Sequence, residues 1–167
     1  MATVNLSDYD INSVPDASGM KFGIVISEWN NGITEALFKG AYELLIKHGV
    51  NENNIIKEYV PGAFELTYGA KVIAEENNLD SVIVLGCVIQ GETRHFDFIC
   101  HGVAKGITDL NLNLDIPVIF GVLTTENMLQ ALDRAGGKLG NKGDEAALTA
   151  IKMVAFKRRQ SEYSNIE

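Results

Sequence analysis

Apolar and polar positions along this chain switch repeatedly between short unbroken runs and a spacing of three to four, and the switches mark out its elements. Lys21-Phe-Gly-Ile-Val-Ile-Ser27 is an apolar run that predicts a strand, followed by the turn-rich Glu28-Trp-Asn-Asn-Gly32. From Ile33 the apolar residues recur at Leu37, Ala41 and Leu44-Leu45, a helical period. His48-Gly49 ends that helix, with glycine in its usual place past the C-terminus. Ile55–Val60 predicts a second strand stopped by Pro61-Gly62, and Leu66, Ala70, Ile73 and Ala74 then line one face of a second helix. Ser81–Val88 is the third strand, and Phe96, Ile99, Val103, Ile107 and Leu110 align along a third helix from His95 to Leu112. Pro117–Val122 reads as the fourth strand, and Thr124 or Thr125 as the cap of a short helix carrying Met128, Leu132 and Ala135. The loop Gly136-Gly-Lys-Leu-Gly-Asn-Lys-Gly143 leads to a last helix with Ala146, Ala150, Met153 and Val154 inward. Asp144 and Glu145 fall in its first turn and Lys157-Arg-Arg159 at its end, both favourable to the helix dipole.

Apolar strands joined by helical crossovers predict a three-layer α/β/α sandwich around a four-stranded parallel sheet with right-handed connections. The pattern divides into a polar arm over residues 1–20, with Pro15 and Gly19, a single α/β domain over 21–160, and a polar tail over 161–167. There is no internal repeat. Such sheets place ligands beyond the carboxyl ends of their strands, so the loops Glu28–Gly32, Pro61–Glu65, Val88–His95 and Phe120–Thr125 are where chemistry is expected.

Composition narrows the classes. With 167 residues, 46% of them hydrophobic and 22% charged, the chain can bury a real core. Its net charge of −8 argues against general nucleic-acid binding, although a few gathered cations could still hold an anion. No apolar run approaches the ~20 residues of a membrane span, and the N-terminus lacks a signal-peptide pattern, so a cytoplasmic protein with no membrane partner is expected. Cys87 and Cys100 lack metal-ligand spacing and read as reduced thiols.

Among residues that could carry chemistry, His95 leads, because an imidazole both accepts and releases protons near neutral pH. A histidine there could equally cap or pack. Gly91-Glu-Thr-Arg94 precedes a helix, whose first amides and the Thr93 hydroxyl could hold a phosphate, though most such sequences simply turn. Arg134 could clamp an oxyanion with its planar fork, or lie solvated at the surface. Trp29, the single tryptophan, could stack on a planar ring or fold over the core. Lys142 between glycines, and Glu65 at a helix start, each have a structural reading beside a binding one. Cys87 has no adjacent base and reads as core filling rather than nucleophile. His95, Asp97 and His101 do not share a helix face, which disfavours a metal.

Several blocks, in order, resemble the lumazine synthase family. They are Trp29-Asn30, Pro61-Gly-Ala-Phe-Glu-Leu66, Gly86-Cys-Val-Ile-Gln-Gly-Glu-Thr-Arg-His-Phe-Asp97, Pro117-Val-Ile-Phe-Gly-Val-Leu123, Gln130-Ala-Leu-Asp-Arg-Ala-Gly136 and Gly140-Asn-Lys-Gly-Asp-Glu-Ala146. The resemblance implies a flavodoxin-like fold and a transferase of riboflavin biosynthesis. It would condense 5-amino-6-(D-ribitylamino)uracil with 3,4-dihydroxy-2-butanone 4-phosphate to 6,7-dimethyl-8-ribityllumazine, phosphate and water, without metal or organic cofactor. By the same resemblance, Trp29 stacks on the pyrimidine, Ala63, Phe64 and Glu65 hold the ribityl chain, and Val88 and Ile89 line the heterocycle pocket. Glu92 and Thr93 form the phosphate turn with Arg134 as its charged partner, and His95 transfers protons. Phe120, Arg134 and Lys142 correspond to groups that enter from a neighbouring subunit. The family assembles as pentamers, often building icosahedral shells, with riboflavin synthase as a candidate partner, and the short 134–142 link here is similar to that of shell formers. Two departures stand out: Trp29 where phenylalanine is frequent, and Thr67 where proline is common at a helix start. A non-catalytic lumazine- or flavin-binding module and a containment scaffold are the competing readings. A flavodoxin-like redox protein is disfavoured, because no phosphate-binding signature follows the first strand.

Overall fold

Branched apolar side chains that can be buried on both faces make the four main strands, β1 (Phe22–Ser27), β2 (Ile55–Val60), β3 (Ser81–Ile89) and β4 (Val118–Thr125). They form one sheet in the order β2-β1-β3-β4 with every neighbouring pair parallel. The structure, a computed structural model, describes residue 5 and residues 7–164. Between and after the strands run α1 (Asn31–Lys47), α2 (Leu66–Glu76), α3 (His95–Asn113), α4 (Met128–Asp133) and α5 (Lys142–Ser164).

Because successive strand residues point to opposite faces, β1 and β3 feed two separate cores. Ile24, Ile26, Ile83 and Leu85 meet Leu37 and Leu45 of α1 and Ala147 and Ile151 of α5. Val25, Val82 and Val84 meet Leu66 and Ala70 of α2 and Val103 and Ile107 of α3. Each fully buried Ile or Leu contributes roughly 1.5–3 kcal/mol; the α1/α5 core holds several, Ile24, Ile26 and Ile83 among them, and the α2/α3 core has Leu66. The three-layer α/β/α architecture expected from the periodicity is the one observed. Ala17 and Met20, ahead of β1, also belong to the α1/α5 core, and Tyr9 and Val14 pack against it.

Three local readings are corrected. Neither Thr124 nor Thr125 caps α4, because β3 runs on to Ile89 and gives both threonines ladder partners in a longer β4. Asn127 takes the cap instead, its side-chain oxygen accepting from the Gln130 amide at 3.0 Å. Lys157-Arg158-Arg159 do not end the last helix, which continues to Ser164. Two of them brace it laterally: Arg158 pairs with Asp80 at 3.0 Å and Lys157 donates to the Asp115 carbonyl. The helix thus occupies 161–164 of the stretch read as a tail, and 165–167 lie outside the described residues, as do residues 1–4 and 6 of the arm. The glycine-rich segment also folds back on itself as a small antiparallel hairpin, β5 (Ala135–Gly137) and β6 (Gly140–Asn141), a pairing its lack of apolar alternation concealed.

That hairpin is bolted to α1. The Asn141 amide group donates to the Ala36 carbonyl at 2.9 Å, its oxygen accepts from the Gly143 amide at 2.7 Å, and its backbone amide donates to Ser7 Oγ at 3.0 Å. At Gly143 the start of α5 comes so close to α1 that an added methyl would lie 2.7 Å from the Leu37 carbonyl carbon and nearer still to its oxygen.

Candidate active site

The carboxyl ends of β1, β2 and β3 carry most of the residues singled out in the sequence. The β1–α1 loop is pinned to the β2–α2 loop by two backbone bonds, Glu28 N–H to the Val60 carbonyl at 2.9 Å and Trp29 N–H to the Pro61 carbonyl at 3.2 Å. Trp29 is 74% exposed, so its ring is displayed rather than folded over the core. Asn30 follows in the left-handed region, φ 60°, alone among the described non-glycine residues. Its side-chain amide donates to the Cys87 carbonyl of β3 at 2.9 Å.

After Pro61-Gly62, a single 3-10 turn, Ala63–Glu65, presents three side chains differently. Ala63 is buried, while Phe64 is 56% exposed and Glu65 is exposed. The Phe64 ring lies on α3, where a methyl at Gly102 would meet its Cε2 at 2.8 Å. The Glu65 carboxylate stands beside the tryptophan loop, since a methyl at Gly62 would lie 2.9 Å from Glu65 Oε2 and 3.8 Å from Trp29 Cδ1. At the end of β3, Val88 and Ile89 are half-buried, Val88 against the α2/α3 core and Ile89 against the α1/α5 core. Beyond them Glu92, Thr93 and His95 are all exposed. Thr93 Oγ1 accepts from the His95 amide at 3.4 Å, where α3 begins, and a helix start leaves several amides without carbonyl partners. An anion at that turn would therefore meet backbone donors and the positive end of α3.

Three predicted site residues stand apart from this group. Phe120 is opposite Val84 in the β3–β4 ladder, whereas Val88 is opposite Thr124, about 13 Å further along at 3.3 Å per residue. It is half-buried on the α2/α3 side, in a depression of about 240 Å³ shared with Ala104, Ile107 and Thr108. Arg134 and Lys142 are held together, the Lys142 amide donating to the Arg134 carbonyl at 2.8 Å across the base of the hairpin. Both are half-buried, and Lys142 Nζ pairs with Glu145 at 2.6 Å. Through Asn141 this hairpin rests on α1, the face of the sheet opposite to Phe64 and Val88. A larger concavity, about 560 Å³ bounded by Tyr42, Lys47 and Asn53, opens at the other end of α1 from Trp29 and holds none of the singled-out residues.

Other candidates lose ground. Among the described residues no cluster of His, Cys, Asp and Glu could hold a metal, so His95, Asp97 and His101 do not form one. Cys87 is 3% exposed, and burial pushes its thiol up to about 11. At pH 8 only about one Cys87 in a thousand would be thiolate, so alkylation of the native protein is expected to leave it unmodified, and denaturant to expose it. Prompt labelling of native Cys87, read by peptide mass spectrometry, would contradict this packing. Asn30 stands out in the sequence only as the neighbour of Trp29. The available signal was its type, because asparagine is one of the few residues that tolerate the left-handed region.

A model of the 6,7-dimethyl-8-ribityllumazine synthase family matches residues 19–158. The chain is 64% identical over 158 residues to a protein of that name from Parabacteroides distasonis, covering 93% of this chain and 99% of the relative. It is 58% identical to one from Porphyromonas gingivalis, over 95% and 99% of the two chains, and 56% identical to one from Phocaeicola vulgatus, over 95% and 96%.

Proposed function

The chain belongs to the 6,7-dimethyl-8-ribityllumazine synthase family, and on that premise we propose which of its residues perform each part of the reaction. It is a transferase of riboflavin biosynthesis, joining 5-amino-6-(D-ribitylamino)uracil to 3,4-dihydroxy-2-butanone 4-phosphate with loss of phosphate and water. Imine formation between the pyrimidine amine and the ketone needs protons delivered to the leaving oxygen and removed from nitrogen and carbon. His95, exposed at the start of α3, is the proton carrier. Trp29 stacks on the pyrimidine, Val88 and Ile89 border it, and Ala63, Phe64 and Glu65 receive the ribityl chain, with Glu65 accepting from its hydroxyls. The phosphate sits on the Glu92-Thr93 turn, where Thr93 and the first amides of α3 donate to it.

The observation that carries this reading is the split arrangement. One copy gathers Trp29, Glu65, Thr93 and His95 beyond its strand ends, but leaves Phe120 some way down β4 and Arg134 with Lys142 on the other face of the sheet. The exposure of the Trp29 ring fits completion by a second copy that contributes Phe120, Arg134 and Lys142 to it. Arg134 then supplies a bidentate positive charge to the phosphate turn, whose own Arg94 pairs with Asp97 at 3.7 Å. We place the protein in the cytoplasm as a homopentamer, and the short hairpin link between α4 and α5 favours a larger shell built of pentamers. Among the described residues no helix is long and apolar enough to cross a membrane. Sedimentation should show particles far larger than a pentamer, and free pentamers at every pH and phosphate concentration would dispose of the shell.

Mixing the two substrates and following lumazine absorbance tests the assignment. His95→Ala is expected to lower kcat about 10²-fold, the scale of one acid–base group, without abolishing turnover, because positioning of two reactants carries much of the remaining rate. An unchanged kcat would remove His95 from the chemistry.

A further inference from the structure

The geometry points to Asn30 as a positioning residue that ties the loop carrying the Trp29 ring to the end of β3. This rests on the reading of Trp29 as the stacking ring. The β1–α1 loop has two sides to hold. Toward β2 it is held by main chain alone, through the Glu28 and Trp29 amides on Val60 and Pro61. Toward β3 the ladder has already stopped, because its last pair is Ile26 with Leu85, and Cys87 lies beyond it. Asn30 spans that gap with its side chain, donating to the Cys87 carbonyl at 2.9 Å. The residue after Cys87 is Val88, which borders the same site.

The backbone explains why an asparagine does this. Asn30 sits at φ 60° and ψ 43°, at the N-cap position of α1, yet its side chain makes no capping bond to that helix. An asparagine at an N-cap ordinarily turns its oxygen onto the helix amides. Here the left-handed backbone directs the amide the other way, across to β3. Cap stabilisation has been given up, and a tether between the aromatic loop and the neighbouring strand has been gained. The tether fixes how far the Trp29 loop stands from Cys87 and the neighbouring Val88, and so where the ring is offered to a planar heterocycle, without touching that heterocycle.

Two substitutions isolate the donor. Asn30→Gly adopts the left-handed backbone freely and removes the amide. Asn30→Asp keeps size and tolerance of that region, but its carboxylate cannot donate to a carbonyl. In both, the KM for the pyrimidine substrate is expected to rise about tenfold, the scale of one lost hydrogen bond with one ring left to order. The KM for the phosphate substrate should stay within about twofold, since its turn lies beyond β3 and does not use this tether. Because Trp29 is the only tryptophan, time-resolved fluorescence anisotropy reads its local motion directly, and faster motion is expected in both variants. An unchanged pyrimidine KM, an equal rise in both KM values, or unchanged Trp29 anisotropy would each overturn the assignment. Trp29→Ala tests the underlying reading separately. If it leaves the pyrimidine KM unchanged the stacking role fails, whereas the anisotropy of the Asn30 variants still reports whether the tether exists.

Discussion

Arg134→Ala should raise the KM for the phosphate-bearing substrate about 10²-fold, with the pyrimidine KM altered little. The size follows from losing a charge-assisted, two-pronged contact to a dianion, worth about 2–3 kcal/mol. Arg134→Lys should recover only part of it, because an ammonium supplies the charge without the fork. Steady-state kinetics with each substrate varied in turn checks this, and an unchanged phosphate KM would remove Arg134 from the site. The same variant tests whether sites are shared. Arg134 is anchored with Lys142 on the α1 face, while His95 lies at the start of α3. If neighbouring copies complete each other, co-assembling Arg134→Ala with His95→Ala chains in equal amounts should rebuild roughly a quarter of the sites, the expectation for random pairing of two half-sites. Either variant alone remains near its own low rate. No gain on mixing, with mixed assemblies demonstrated, would mean that each copy carries its whole site.

Gly143→Ala is expected to be the most damaging single methyl in the molecule. The obstacle is not a side chain that can swing away but the Leu37 carbonyl group in the middle of α1, 2.7 Å or less from the added carbon. Relief requires α5 to move off α1, and that motion drags on the Asn141 bonds to Ala36 and to Gly143 itself. Overpacking against movable side chains costs about 1–3 kcal/mol, and a backbone obstacle places this change at or above the top of that range. A fall in Tm of about 10 °C follows for a domain of this size. Gly91→Ala is the control, because a methyl there meets nothing within 4 Å. Calorimetry showing Gly143→Ala within 2 °C or so of the parent would deny the close approach.

How much of this was legible without coordinates depended on the range of the interaction. Ile24 and Val25, or Ile83 and Val84, announce buried strands through their own chemistry, and the periods of α1, α2 and α3 survive in sequence because each buries one face. The end of β4 was misjudged because Thr124 and Thr125 look like caps locally, and only the length of β3 decides that they pair. Lys157–Arg159 looked terminal because positive charge suits a helix end, whereas Asp80 and Asp115, far away in sequence, give two of them lateral partners. The candidate site residues come from blocks resembling a known family. Spacing alone could not have placed Phe120 and Val88 about four ladder steps apart, nor shown that the hairpin carrying Arg134 rests on α1. The role proposed for Asn30 is not legible in sequence, because it rests on a backbone angle and a carbonyl 57 residues away.

If copies do complete one another as proposed, with Arg134 and Lys142 of one meeting Trp29, Glu65, Thr93 and His95 of the next, there is an arithmetic consequence. Copies joined head to tail each give one half and receive the other. An open row therefore always ends with a donor that has no acceptor and an acceptor that has no donor, so it completes one site fewer than it has members. Bending the row into a circle recovers the missing one, and the gain is the same for any circle size. Catalytic output by itself thus favours closure but cannot choose the number of members. That choice falls to the angle at which one sheet meets the next.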